Sequence, residues 1–293
     1  MQRFLAFLFS VAMTLGGYAA RLDGDSKAAE LLAQARAALG GDSKLSKVQG
    51  LSCSGTLQRA LGDRQITGEL TLSLQLPDKF LRSDSVSPMG DAALVVTDQG
   101  VNGDKVLRNA RTLNTPPGAV MRLPSAPEHG SEAEAQLLRN SRAELARLTV
   151  AMLMTAPASM PLEFVYAGEA ESPDGKADVI DVKGPNSFGA KLFLDKSSHR
   201  PLMLTYRGIA PRMVMQTQRS DAPPAATRVE PGSMPPPEQV DITMFLDDYR
   251  TVDGVLLPHH ITRSIDGKSN EEWTFKTVKV NPAFKADTFA PVK

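Results

Sequence analysis

The residues with chemistry to offer are few, and their spacing separates them. His259 and His260 are adjacent in Leu256-Leu257-Pro258-His259-His260-Ile261, a stretch that reads as a β-strand. Neighbouring strand residues point to opposite faces of a sheet. The two imidazoles therefore do not share one metal ion or one proton; one is expected outside and the other partly buried. Asp247 and Asp248 fail for the same reason. Glu271 and Glu272 read as the solvated start of a strand. His199, in Asp195-Lys196-Ser197-Ser198-His199-Arg200, reads as turn chemistry at a hairpin tip. His129 sits in a proline-rich loop with no acidic neighbour read at helical spacing. Cys53, the single cysteine, lies between Ser52 and Ser54 in a strand, with no basic partner close in sequence. That fits a small core residue better than a nucleophile. The chain has no G-x-S-x-G elbow, no P-loop and no H-E-x-x-H. With one cysteine and four histidines, an intrachain disulfide and Cys/His zinc spacing are excluded. No catalytic residue and no cofactor is assigned, and the reading is that of a protein that is not an enzyme. A site assembled from residues distant in sequence is the remaining route to chemistry.

Composition narrows the classes further. The chain has 33 Lys+Arg against 33 Asp+Glu and only 5% aromatic residues. Phosphate binding needs clustered Lys and Arg, so nucleic-acid binding is not expected. A hydrophobic content of 42% is ample for a core. The N-terminus begins with the basic Met1-Gln2-Arg3 and an apolar run over residues 4–15. Gly17-Tyr18-Ala19 then places small residues where a signal peptidase needs them. This reads as a secretory signal peptide over residues 1–19. The run is too short to span a bilayer comfortably, no later run approaches that length, and no cysteine follows to carry a lipid. Residues 20–293 are expected to form one exported, periplasmic domain with no stable membrane span. Loss of Arg3 with the leader leaves a nearly neutral chain, without broad attraction to anionic membranes.

The elements that must position any site follow from periodicity. Ala28, Leu31, Leu32, Ala35, Ala38 and Leu39 recur at three- and four-residue steps and make one helical stripe, stopped by Gly40-Gly41. Ser131-Glu132-Ala133-Glu134 is a capping box opening a second helix. Leu138, Leu145, Leu148 and Met152 then fall near one face, and Pro157 bounds the end. Most of the remainder alternates with period two. In residues 66–76, Leu70, Leu72, Leu74 and Leu76 point one way and Glu69, Thr71, Ser73 and Gln75 the other. Further strands are expected at 51–59, 80–85, 92–97, 162–169, 177–182, 190–194, 202–206, 241–249, 256–263 and 272–280. Asn102-Gly103, Asp174-Gly175, Asp253-Gly254 and Asp266-Gly267 mark hairpin turns. Short links between alternating strands predict a sequential antiparallel sheet and not a doubly wound α/β fold. Two proline-rich stretches, 112–130 and 216–239, interrupt the order. The second reads as an insertion between two strands of one sheet.

This order of elements resembles the outer-membrane lipoprotein-sorting (LolA/LolB-like) superfamily, especially its uncharacterised bacterial branch. The likeness rests on the first helix ending in Ala37-Ala38-Leu39-Gly40-Gly41 and on Leu76-Pro77-Asp78-Lys79-Phe80. It also rests on the midchain helix running to Ala156-Pro157 and on the hairpin from Leu192-Phe193-Leu194-Asp195 to Pro201-Leu202-Met203-Leu204-Thr205-Tyr206. The closing Tyr249-Arg250-Thr251-Val252-Asp253-Gly254-Val255-Leu256-Leu257-Pro258 and Lys279-Val280-Asn281-Pro282 complete it. The resemblance implies an α+β fold that is mainly antiparallel β. Its sheet would be a curved, incomplete barrel with two amphipathic helices covering the open mouth. It further implies an apolar cavity that takes lipid or lipoprotein acyl chains, with an envelope protein as a possible partner. From pattern, the expected lining is Leu70, Leu72, Leu74, Leu76 and Phe80 from the sheet and Leu145, Leu148 and Met152 from the second helix. The alternative is an envelope sensor or protein-interaction module on the same fold, acting through the proline-rich stretch.

Overall fold

Alternation along the chain becomes one antiparallel sheet. A computed structural model describes residues 10–11, 19–88, 94–113, 129–209 and 238–290, with side chains from residue 25 onward. The first meander holds β2 (Gly50–Leu61), β3 (Arg64–Gln75), β4 (Lys79–Val86), β5 (Leu94–Asn102) and β6 (Lys105–Leu113), after a two-residue β1 (Ser10–Val11). The second holds β7 (Glu163–Ser172), β8 (Gly175–Lys183), β9 (Gly189–Asp195), β10 (Pro201–Ile209), β11 (Gln239–Val252), β12 (Val255–Ile265) and β13 (Lys268–Val280). Among the described residues the sheet has thirteen strands, in the order β1-β7-β8-β9-β10-β11-β12-β13-β2-β3-β4-β5-β6. The last strand therefore closes onto the first meander through β13 and β2. Among the described residues the end strands β1 and β6 do not pair, so the barrel is incomplete. Ile209 and Gln239 are register partners across β10 and β11. Of the two proline-rich stretches, residues 114–128 and 216–237 lie outside the described residues, as do residues 1–9 and 12–18.

Register sets which side chains meet. Across β2, β3 and β4, Leu51, Leu74 and Phe80 lie side by side; so do Cys53, Leu72 and Arg82, and Gly55, Leu70 and Asp84. Gly55 faces an irregularity of β13 between Phe275 and Thr277. A Cβ there would lie 1.9 Å from the Thr274 carbonyl oxygen, so only glycine lets β13 come this close. Asp253-Gly254 and Asp266-Gly267 both have positive φ at the two turn residues, the geometry that matches the right-handed twist of a hairpin.

The helices supply the second layer. Helix α1 (Ala19–Ala38) packs on β7. Its Ala28, Leu31 and Ala35, with Leu39 just beyond, are at most 2% exposed. Gly40 and Gly41 end it with φ of 122° and 92°, and the Leu39 carbonyl accepts from Leu256 N at 2.8 Å. A short α2 (Asp42–Leu45) follows, which periodicity does not anticipate. Helix α3 (Glu132–Leu153) is capped by Ser131, whose hydroxyl accepts from Glu134 N at 3.2 Å. It ends at a left-handed Met154, three residues before the expected Pro157. It crosses the inner face against β4, β5, β6 and β10. Its buried side chains join those of the inner face and of α1 in one core. Strand β6 escaped the sequence reading because Lys105, Arg108 and Arg111 break its alternation, as edge strands commonly do. Among the described residues no helix is long and apolar enough to cross a membrane.

Candidate functional site

The inner face under α3 has two parts. The first is apolar. Leu70, Leu72, Leu74, Phe80, Leu145, Leu148 and Met152 are each at most 2% exposed and belong to one core with Leu51 and Cys53. Leu76 is partly buried against them. It lies just past the end of β3, where its N–H donates to the Gln49 carbonyl at 2.8 Å. Strand parity brings the sheet residues together and helical spacing brings the α3 residues onto them. In this conformation they are buried together in one core. Burial pushes the Cys53 thiol up to about 12, so it is neutral and a poor nucleophile.

The second part is charged, and no motif announced it. Arg59 on β2, Arg82 and Asp84 on β4, Arg263 on β12 and Glu271 on β13 all occupy inner-face positions; Glu144 and Arg147 come down from α3. Arg82 grips Asp84 with two parallel bonds of 2.8 Å. Arg59 reaches Asp84 at 2.5 Å and Glu271 at 2.7 Å. Glu271 also accepts from Arg82 at 3.1 Å and from the Trp273 indole N–H at 3.0 Å. The guanidinium groups of Arg82 and Arg263 stand 4.8 Å and 5.3 Å from the centre of the Trp273 ring, close enough for cation–π attraction. Arg263 donates to Glu144 at 3.1 Å and to the Tyr206 hydroxyl. Arg147 lies 3.8 Å over the Tyr206 ring and 3.5 Å from Glu144. Every one of these charged side chains keeps between 8% and 19% of its surface exposed.

Electrostatics favour the charged forms of Glu271, Glu144, Arg82 and Arg263. Burial acts to raise the Glu271 carboxyl, but Arg82, Arg59 and Arg263 together hold it well below its ordinary 4.5. Glu144 is treated alike: burial raises it, and Arg263, Arg147 and Arg82 outweigh that. Burial lowers Arg82 and Arg263, while their carboxylate neighbours lift both above the usual arginine value. Burial lifts the Tyr206 phenol. Charges this enclosed persist only when paired and hydrogen-bonded.

Other expected positions fall elsewhere. Glu271 is a correction: parity puts it beside Trp273 on the inner face, where it is 9% exposed, and not at a solvated strand start. Glu272, on the opposite face, contacts His260 Nε2 at 2.8 Å. His259 is buried, with Nδ1 3.1 Å from the Leu257 carbonyl. The two histidines thus split across the sheet as alternation requires. Asp247 is the cross-strand neighbour of His260 and accepts from Asp248 N at 2.7 Å. His129 lies 3.2 Å from Glu134, five positions on, which also accepts from Gly130 N. Asp195 organises its hairpin tip by accepting from the backbone and hydroxyls of Ser197 and Ser198, and His199 is left-handed there. Among the described residues no three His, Cys, Asp or Glu side chains are placed to hold a metal ion.

No family model matches the chain, and no curated protein matches it. Solved structures do. A protein of the DUF1329 family from Desulfovibrio piger is 9% identical, with a TM-score of 0.49 over 91% of this chain and 97% of its own. A lipoprotein-sorting protein domain from Vibrio parahaemolyticus is 12% identical, with a TM-score of 0.46 over 91% and 97%. A LolA superfamily protein from Nitrosomonas europaea is 9% identical, with a TM-score of 0.47 over 89% and 96%. The chain is similar to these in fold, and the likeness at such low identity says nothing of a ligand.

Proposed function

We propose that this chain is a periplasmic binder or carrier of lipid-like apolar ligands, lipoprotein acyl chains among them. The observation that carries the reading is the packing of α3. Its Leu145, Leu148 and Met152 lie on the inner face of an open sheet, against Leu70, Leu72, Leu74 and Phe80. Burying those three helix side chains is worth roughly 5–9 kcal/mol, at about 1.5–3 kcal/mol each. A sixteen-carbon chain offers roughly 12 kcal/mol, at about 0.8 kcal/mol per methylene, before ordering costs. An acyl chain lying between α3 and the sheet would offset what those three side chains lose when the helix lifts. The eight residues expected to line the cavity are then the ones the chain would meet.

Export is part of the proposal, resting on the leader-like first nineteen residues, and an envelope donor or acceptor protein is its natural partner. The test is native mass spectrometry of protein expressed in the periplasm, with titration by an apolar fluorescent dye. A co-purifying lipid or lipoprotein and saturable dye binding are expected. Absence of both overturns the reading.

A further inference from the structure

We infer that the charged cluster under α3 is a binding site for the anionic group of an amphiphile, a phosphate or carboxylate, and that Arg147 takes it. The inference rests on the reading of the chain as a lipid-like binder and adds the chemistry of the head group. Four guanidinium groups, Arg59, Arg82, Arg147 and Arg263, meet three carboxylates, Asp84, Glu144 and Glu271. The surplus is one positive charge, and the distances say where it sits. Asp84 and Glu271 are shared by Arg59 and Arg82 at 2.5–3.1 Å. Glu144 is bound by Arg263 at 3.1 Å and touched by Arg147 at 3.5 Å, the longest ion pair of the cluster. Arg147 Nε is buried and has no hydrogen-bond partner. An enclosed charge with an unfilled donor is an unfavourable arrangement that an anion relieves.

The surroundings give the anion its orientation. Arg147 is stacked over Tyr206 and stands 5.5 Å from the Phe188 ring centre. A guanidinium lying over a ring keeps its N–H groups as donors; one meets Glu144 at 3.5 Å and Nε is unfilled, a donor set that suits a carboxylate or phosphate. The next residue, Leu148, and Leu145 before it are buried in the apolar part. A head group on Arg147 therefore has an apolar surface within one helical turn for its tail. A free anion would gain nothing from that surface, which favours an amphiphile.

Trp273, the chain's single tryptophan, sits in the cluster and reports binding by fluorescence. Three probes separate the possibilities: dodecyl phosphate, dodecanol and inorganic phosphate. The wild type is expected to bind dodecyl phosphate roughly 10- to 100-fold more tightly than dodecanol, the range for a charge-assisted hydrogen bond, and inorganic phosphate far more weakly. Arg147→Gln should lose that preference while still binding dodecanol, which also shows that it folds. Arg147→Lys should keep part of the preference. Arg142→Gln, on the same helix but paired with Asp104 at the surface, should keep all of it. Equal binding of the two dodecyl probes by the wild type, or a preference that survives Arg147→Gln, overturns the inference and leaves the binder reading standing. Inorganic phosphate as tight as dodecyl phosphate overturns the amphiphile in favour of a free anion. Failure of both dodecyl probes to bind overturns the binder reading itself.

Discussion

The two parts of the inner face are built from the same strands and yet hold together by opposite means. Around Leu51, Leu72, Leu74 and Phe80 the sheet meets Leu148 and Met152 of α3, and burial of carbon does the work. Farther along β2 and β4 come Arg59, Arg82 and Asp84, Glu271 joins them from β13, and α3 answers with Glu144 and Arg147. Apolar packing is non-directional and tolerates exchange of one hydrocarbon for another. A buried ion network is directional and tolerates little, because removing one member strands the others. The contrast teaches that the same turns of the helix are held loosely by type where they meet carbon and specifically where they meet charge.

Trp273→Ala should do most damage, because the ring belongs to both parts. It is wholly buried, carries the cation–π contacts of two arginines and donates to Glu271. A loss of about 3–5 kcal/mol is expected on denaturant unfolding. A loss near that of an exposed substitution would mean that the two parts do not meet at this residue. Leu148→Ala, in the apolar part, should cost about 3 kcal/mol by the same measurement, and the cost should be the same at pH 7 and at pH 3.5.

Glu271→Gln should cost about 2 kcal/mol at neutral pH, the scale of hydrogen bonds to a charged group, and here pH separates the two parts. The folded-state carboxyl lies below its ordinary 4.5, so the unfolded chain takes up the proton more readily. The stabilisation from Glu271 is full above about pH 4.5 and drains as pH falls below it. Denaturant midpoints at the two pH values should therefore show the penalty of Glu271→Gln shrinking on acidification while that of Leu148→Ala stays. Equal pH dependence in both variants would erase the distinction between the parts.

How legible these parts were differs for a physical reason. The apolar part was written as period: Leu70, Leu72 and Leu74 alternate along β3, and Leu145, Leu148 and Met152 recur along α3. Local repetition is all that such a stripe needs, so strands, helices and turns such as Asp266-Gly267 could be read directly. The charged part has no period. Arg59 and Glu271 are 212 positions apart, and only the pairing of β2 with β13 brings them together. A trace was present in parity: Arg82 and Asp84 share the phase of Phe80, and Arg263 shares that of Ile261. Charges in the phase of the core mark either a strand ending or a buried network, and the structure decides for the network. Glu271 departs from the solvated strand start expected for it because it shares the phase of Trp273, while Glu272 takes the opposite face.

Smaller effects probe how α3 is fastened rather than what it covers. Ser131→Ala removes the hydroxyl that accepts from Glu134 N and should cost about 1 kcal/mol. Ser131→Asp should restore most of it in thermal unfolding, since aspartate caps equally well.

The smallest effect should come from Arg142→Ala. Its ion pair with Asp104 leaves the arginine 37% and the aspartate 93% exposed, and exposed pairs contribute about 0–1 kcal/mol. Arg142 and Arg147 stand five positions apart on one helix, and their surroundings are opposite. The first faces water, which screens its charge; the second lies over Tyr206 with a buried Nε. Unfolding midpoints in low and high salt should show the Arg142→Ala difference vanish as salt rises. A difference that survives high salt would place Arg142 inside the fastening of α3 as well, and the line between surface charge and interior charge would have to be drawn one turn earlier on the helix.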